Sequence, residues 1–222
     1  MMELKKLQKI GGVCAIIEAL IYITTFIVYG AIIIYPEENT SAVDELTILS
    51  DNYLALSIIN LVSYVLFGIV LAVLVLAIYQ RLKNHAPNFS KLAFTFGIIW
   101  VGLVIASGMI ANIGLNSVLK IGETAPENAI VIWSSVSIIV EGLGGGNEIV
   151  GGIWVLLISC IALKGQFFSK PINYIGIVVG VAGILTVYPL EIFTEIFGIS
   201  QILWFLWIGI FMIRKPATPR EV

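Results

Sequence analysis

Residues 127–163 read ENAIVIWSSVSIIVEGLGGGNEIVGGIWVLLISCIAL. How many times this stretch crosses a membrane decides the fold. It is mostly apolar, but Gly142, Gly144, Gly145 and Gly146 interrupt it. A helix needs about 20 residues to cross a ~30 Å hydrocarbon layer. The stretch is therefore long enough for two short spans, or for one span with a prelude. The rest of the chain holds five clearer apolar runs, at Ile10–Ile34, Leu54–Tyr79, Leu92–Leu115, Ile172–Tyr188 and Ile196–Ile213.

The basic residues resolve the ambiguity. Lys5, Lys6 and Lys9 precede the first run, and Arg81, Lys83 and Lys91 separate the second from the third. Lys164 and Lys170 follow the quoted stretch, and Arg214, Lys215 and Arg220 close the chain. Only Lys120 falls outside these groups. Cytoplasmic loops carry the excess of Lys and Arg, so an even number of crossings separates each group from the next. The quoted stretch then crosses once, which predicts six spans with both termini cytoplasmic. Within it we expect a short helix at the outer face, a glycine break, and a full span from about Asn147 to Leu163. A re-entrant hairpin keeps the same count. Glu37, Glu38, Asp44, Glu45, Asp51, Glu123, Glu127, Glu191 and Glu195 all fall on the outer side of this arrangement. The segment Thr40–Ser50 reads as a short amphipathic helix, and Pro126 and Pro171 fit first-turn positions, where the missing N–H costs nothing.

Composition supports the same class. Of 222 residues, 59% are hydrophobic and 12% charged, with a mean hydropathy of +1.04. Soluble domains carry about a quarter charged residues. Such a chain could not cover its own surface with polar groups, which excludes a soluble enzyme, a nucleic-acid binder and a disordered tail. The expectation is an all-α, polytopic membrane bundle in an inner cell membrane. One domain covers 1–213, with spans at about 10–34, 54–79, 92–115, 147–163, 172–188 and 196–213, and 214–222 forms a tail.

Several chemistries lack their residues. His85 is the single histidine and Asp44 and Asp51 the only aspartates, all outside the spans. Haem ligation, zinc hydrolysis and an intramembrane aspartyl dyad cannot be assembled from these. No lysine lies mid-span, and no nucleophile elbow or P-loop occurs. Cys14 and Cys160 read as reduced packing residues. The sequence offers no catalytic constellation, metal site or cofactor.

What remains at membrane depth is three carboxylates, Glu18, Glu141 and Glu148. A charge at the bilayer centre costs at least ~3 kcal/mol, so such residues face the bundle interior. Tyr22, Thr25 and Tyr29 share the helix face of Glu18. Ser57, Asn60 and Tyr64 lie on the second helix, Asn112 and Asn116 on the third, and Asn147 and Glu148 open the fourth. At 1.5 Å per residue, nearly all of them fall in the outer half, and the inner half is almost purely aliphatic. This predicts a polar cavity that opens outwards, with Glu18, Tyr22, Asn60, Tyr64, Asn112, Glu141, Asn147 and Glu148 as its ligand-binding groups. The alternative is that these groups only tie helices together. At the start of the fourth helix, the Glu148 carboxylate is expected to cap the helix end itself.

Three functions fit these residues. One is the binding or movement of a small solute, ion or proton through the outer cavity. Another is a structural or accessory subunit that packs on partner membrane proteins or on further copies of itself. The third, less favoured because no nucleophile or metal site is visible, is a lipid-modifying enzyme with Glu148 as general base.

Four features carry a resemblance. They are the lysine-rich start before Ile10-Gly11-Gly12, the Tyr79-Gln80-Arg81-Leu82-Lys83 end of the second helix, the Lys170-Pro171-Ile172-Asn173-Tyr174-Ile175-Gly176 start of the fifth, and the short basic tail. In these the chain resembles a broad family of uncharacterised bacterial and archaeal six-helix integral membrane proteins, known as a domain of unknown function. The resemblance implies the six-helix layout and assigns no site residues.

Overall fold

The computed structural model describes residues 2–33, 36, 40–145, 148–188 and 190–216. Ile34, Glu37, Glu38, Gly146, Asn147 and the end of the tail, named above, lie outside them. The described residues form helices and turns, with no strand among them. We number the helices α1 (Met2–Ile27), α2 (Ala42–Asp51), α3 (Tyr53–Asn60), α4 (Phe67–Leu82), α5 (Pro87–Gly122), α6 (Pro126–Val140), α7 (Ile149–Gly165), α8 (Lys170–Leu185) and α9 (Glu191–Arg214). Three irregular segments join or extend them: π-helical turns at Val28–Ile32 after α1 and at Leu61–Leu66 between α3 and α4, and a kink at Glu141–Gly145 after α6.

Five helical stretches among the described residues are long and apolar enough to cross a membrane: Glu3–Ile32, Tyr53–Leu82, Pro87–Gly122, Pro126–Gly165 and Glu191–Arg214. The chain is thus a helical protein of membrane character. The sixth apolar helix, α8, has 16 residues and rises only about 24 Å. The elements begin where the sequence signals place them. Pro87 and Pro126 open α5 and α6, and Pro171 sits in the first turn of α8. At α2 the Ser41 hydroxyl accepts a hydrogen bond from the Asp44 N–H at 3.2 Å, the N-cap arrangement that such a helix needs.

Each of α1, α4, α5, α7, α8 and α9 packs on the next, and α9 returns to α1, so these six helices close into a ring. Glycine sets the spacing at several crossings. Gly12 of α1 faces Gly209 of α9 while Phe26 faces Gly198, so this pair runs antiparallel with backbones in contact. Gly152 of α7 meets Gly180 and Gly183 of α8 in the same way. Membrane helices approach this closely only where small residues line the seam.

Inside the ring lies a closed circuit of aromatic rings. Tyr22 meets Phe67 at 5.6 Å, Phe67 meets Trp100 at 5.6 Å, and Trp100 meets Trp154 at 5.7 Å. Trp154 meets Trp204 at 5.7 Å, Trp204 meets Phe205 at 5.5 Å, and Phe205 returns to Tyr22 at 6.2 Å. Five helices contribute a ring; the sixth, α8, contributes Gly176, which leaves room for the Trp204 indole. Reading only the outer side of the last helix, as its Trp204, Trp207 and Phe211 spacing suggests, puts Trp204 against lipid. It is instead fully buried, and Trp207 alone of the two is exposed.

The quoted stretch forms a helix, a break at the glycines and a second helix. Gly114 of α5 faces Val136 of α6, Val104 faces Gly144, and Trp100 faces Gly151 of α7. In that order α6, the break and α7 follow one another along α5, as a single kinked rod antiparallel to it. The short helix α6 therefore runs along α5. The reason is the length of α5, whose 36 residues rise about 54 Å and offer packing surface to both halves of the rod. The kink falls at Gly144, whose φ of 147° is open to glycine and strained for other residues.

Two cores result. The larger fills the ring around the aromatic circuit. A smaller one, built on Leu46, Leu49, Leu56, Leu115, Val118 and Ala129, joins α2, α3, α6 and the far half of α5. The basic residues gather at the opposite end of the ring. There the Arg81 guanidinium is buried, donates to the Lys215 carbonyl at 3.0 Å and to Gln8 Oε1 at 3.5 Å, and lies over the rings of Phe168 and Phe211 at 5.2 and 5.4 Å. Gln8 in turn donates to the Ala77 carbonyl at 2.6 Å. One side chain thus ties α1, α4, α9 and the α7–α8 loop. The sequence reading counted Arg81 only as a loop charge.

Candidate functional site

The two π-helical segments and the kink at Glu141–Gly145 converge on one region. A π turn inserts a residue into the helical ladder and re-aims the side chains around it, and such turns recur at functional sites. Here the three segments supply Tyr29, Ser63, Tyr64, Glu141 and Gly144 to the walls of two neighbouring cavities. No periodicity in the sequence marks these insertions.

The first cavity has a volume of about 490 Å³. It lies between the end of α1, helices α2 and α3, and the second half of α6. Its polar and aromatic groups include Tyr29, Asn60, Tyr64, Trp133, Glu45 and Glu141, and its apolar wall includes Ile33, Leu49, Leu56 and Val140. No Lys, Arg or His is among the described residues that line it. The second chamber, of about 80 Å³, lies deeper and is lined by Tyr22, Thr25, Ser63, Tyr64, Trp100 and Glu148. Tyr64 faces both, so its ring forms the partition between them.

Hydrogen bonds hold the walls. The Tyr29 hydroxyl donates to Asn60 Oδ1 at 3.0 Å, Asn60 Nδ2 donates to Asn112 Oδ1 at 3.4 Å, and Asn112 Nδ2 donates to the Ser57 carbonyl at 3.2 Å. This chain links α1, α3 and α5. One turn deeper, the hydroxyls of Thr25 and Ser63 share a bond of 2.7 Å. At the break, the Ser107 hydroxyl donates to the Val140 carbonyl at 3.3 Å.

Glu148 does not cap its helix with its carboxylate. Its backbone N–H donates to Thr186 Oγ1 at 2.9 Å, and that hydroxyl donates to the Gly183 carbonyl at 2.7 Å. The end of α8 therefore fixes the start of α7. The carboxylate is left to the chamber: the residue is 8% exposed, and Oε2 is buried without a hydrogen-bond partner among the described residues. The self-capping expected from sequence is not seen: no side-chain hydrogen bond caps α7, and Glu148 lines the chamber instead.

The sequence-selected residues divide as follows. Tyr22, Asn60, Tyr64, Glu141 and Glu148 line one or both cavities. Asn112 serves the wall through its hydrogen bonds, and Asn147 lies outside the described residues. Glu18 lines neither cavity. It is fully buried one turn from Tyr22, and neither carboxylate oxygen has a hydrogen-bond partner among the described residues. The half of the bundle nearer the basic loops is also less aliphatic than the sequence suggests, since Ser159 and Asn173 are buried there. Sequence reading missed Trp133, Glu45, Ser63 and Thr186 as site groups. Trp133 and Glu45 sit on helices that close on the site only through tertiary packing.

No curated protein and no solved structure matches the chain. A family profile described as a domain of unknown function matches residues 10–215, nearly the whole bundle, and the chain accordingly belongs to the DUF4386 family.

Proposed function

We propose that the protein crosses the membrane six times, with its basic end cytoplasmic, and uses the two cavities to bind and move a small solute, ion or proton from the outer side. The ring of six helices supports the crossing count, with the short α8 spanning a locally thinned layer. The basic loops support the orientation. In this arrangement both cavities belong to the outer half.

One observation carries the functional reading. Glu148 is buried, has an unpartnered oxygen, and faces a chamber separated by one tyrosine ring from a cavity of about 490 Å³. A carboxylate that only glued helices together would hold a donor from a neighbouring helix. This one is held through its backbone; the Trp100 indole N–H approaches the carboxylate, and Oε2 keeps no partner among the described residues, open to an exchangeable one. Glu18, buried beyond the aromatic circuit, is the next acidic group towards the basic end.

The test is flux through proteoliposomes that contain an internal pH dye. An imposed proton gradient should decay faster with the wild-type chain than with empty liposomes, and Glu148→Gln should return the decay to the empty-liposome rate. Equal decay for wild type and Glu148→Gln removes that residue from the mechanism.

A further inference from the structure

The lining of the larger cavity narrows the ligand class. Glu45 and Glu141 contribute carboxylates, Tyr29, Tyr64 and Trp133 contribute aromatic surface, and the remaining wall is largely aliphatic. No cationic side chain lies among the described lining residues. An anion would meet uncompensated repulsion. A hydrated inorganic cation would meet apolar walls, and no group of three or more candidate metal-ligating side chains occurs among the described residues. A neutral solute would leave the carboxylates without a counter-charge. A cation that carries its own apolar substituents satisfies all three kinds of wall at once, because aromatic faces attract cations and carboxylates supply the counter-charge. The volume of about 490 Å³ lies within the range of about 300–1,000 Å³ common for drug-sized ligands.

We propose that this cavity is a binding site for a lipophilic organic cation, a quaternary ammonium or phosphonium or a protonated amine with aromatic or alkyl arms. The proposal deepens the transport reading above and rests on it. A second feature, independent of the two rim carboxylates, also favours a positively charged occupant: the unpartnered Glu148 oxygen, in a residue more than nine-tenths buried, faces the adjoining chamber behind Tyr64. The cation would sit between Trp133 and Tyr64, its charge towards Glu141 and its arms against Leu49, Leu56 and Val140.

Equilibrium dialysis of the full chain in detergent tests this with tetraphenylphosphonium. Tetraphenylborate, of nearly the same shape and opposite charge, serves as the control. Saturable binding of the phosphonium and none of the borate is expected. Glu141→Gln and Trp133→Ala should each weaken binding about tenfold, the factor that accompanies about 1.4 kcal/mol. The phosphonium should also protect a Ser137→Cys variant from a charged methanethiosulfonate, because Ser137 lines the same cavity. Neither Glu141 nor Trp133 is buried, and an unchanged gel-filtration profile verifies that the variants fold. Absence of saturable phosphonium binding, equal binding of the borate, or binding indifferent to both substitutions overturns the proposal. If any of these occurs while proton flux still depends on Glu148, the ligand class fails and the transport reading stands.

Discussion

Substituting Gly152 by alanine should separate α7 from α8. A Cβ built at Gly152 would lie 2.9 Å from the Gly180 carbonyl oxygen and 2.9 Å from both Cα and the carbonyl carbon of Gly183. Ordinary carbon contacts lie at about 3.5–4.0 Å, so the helices must part by roughly half an ångström or more. All three neighbours are backbone, and no rotamer change can relieve the clash. Overpacking of this kind costs about 1–3 kcal/mol, and the upper half of that range applies where backbone meets backbone. Alanine's better helix propensity returns up to about 1 kcal/mol, which leaves a net loss of about 2 kcal/mol. For a chain of this size each kcal/mol lowers the unfolding temperature by about 2–4 °C. Tryptophan fluorescence during heating in detergent should therefore show a fall of roughly 4–8 °C, because Trp100, Trp154 and Trp204 all lie in the core. Gly102 is the control: a Cβ there meets nothing within 4 Å, so Gly102→Ala should leave the transition unchanged or raise it slightly. An unchanged transition for Gly152→Ala, or an equal fall for both variants, would refute the claim that the α7–α8 seam is set by backbone contact.

Other consequences follow from single side chains. Arg81→Ala removes a buried charge-assisted bond to the Lys215 carbonyl and two ring contacts, and should cost about 3 kcal/mol in the same melting assay. Arg81→Lys should recover only part of that loss, because an ammonium lacks the planar face that stacks on Phe168 and Phe211. Asn60→Ala breaks the link between Tyr29 and Asn112 and should lower stability by about 1–3 kcal/mol, with Asn60→Asp failing to restore it because the amide donor to Asn112 is gone. Cys160 is exposed and Cys14 buried, so a maleimide should modify one thiol rapidly in the folded protein and the second only after denaturation; two fast thiols would contradict the packing of α1.

How much of this was legible in the sequence depends on which physical term decides each feature. The helices follow from apolar runs, and their starts from Pro87, Pro126, Pro171 and Ser41, all local signals that act within a turn or two. Helix lengths were read short, because the hydropathy of α5 fades before its helix ends and α6 extends its packing. The orientation of α6 is a tertiary result: Gly114, Ser107 and Gly144 dock it along α5, and nothing within residues 126–145 alone reveals that partner. Glu18, Tyr22, Thr25 and Tyr29 share one helix face, yet the Tyr22–Phe67 contact parts Glu18 from the chamber that the others approach. Spacing along one helix reports a face and not the depth at which a neighbour closes it.

The residues that defied local rules mark the site better than those that obeyed them. A π insertion at Leu61–Leu66 breaks an otherwise apolar helix, another ends α1, and the third irregular segment, Glu141–Gly145, is a kink that contains a glycine with positive φ. Each irregularity costs regular hydrogen bonding, and an apolar core has no need of it. All three border the same two cavities, and each turns a tyrosine, a serine or a glutamate towards them. Irregular backbone at membrane depth persists where it is buried in protein or lines a cavity. If the three segments served packing alone, they would be distributed over the ring. Instead they cluster on α1, α3–α4 and α6–α7 around Tyr64, while α8 and α9 remain regular helices through the same bundle. The insertions thus shape the cavity, and straightening the Leu61–Leu66 segment by deleting one residue should collapse it: Tyr64 would rotate by about 100° around its helix, the partition between the chambers would be lost, and protection of Ser137→Cys by the phosphonium would disappear with it.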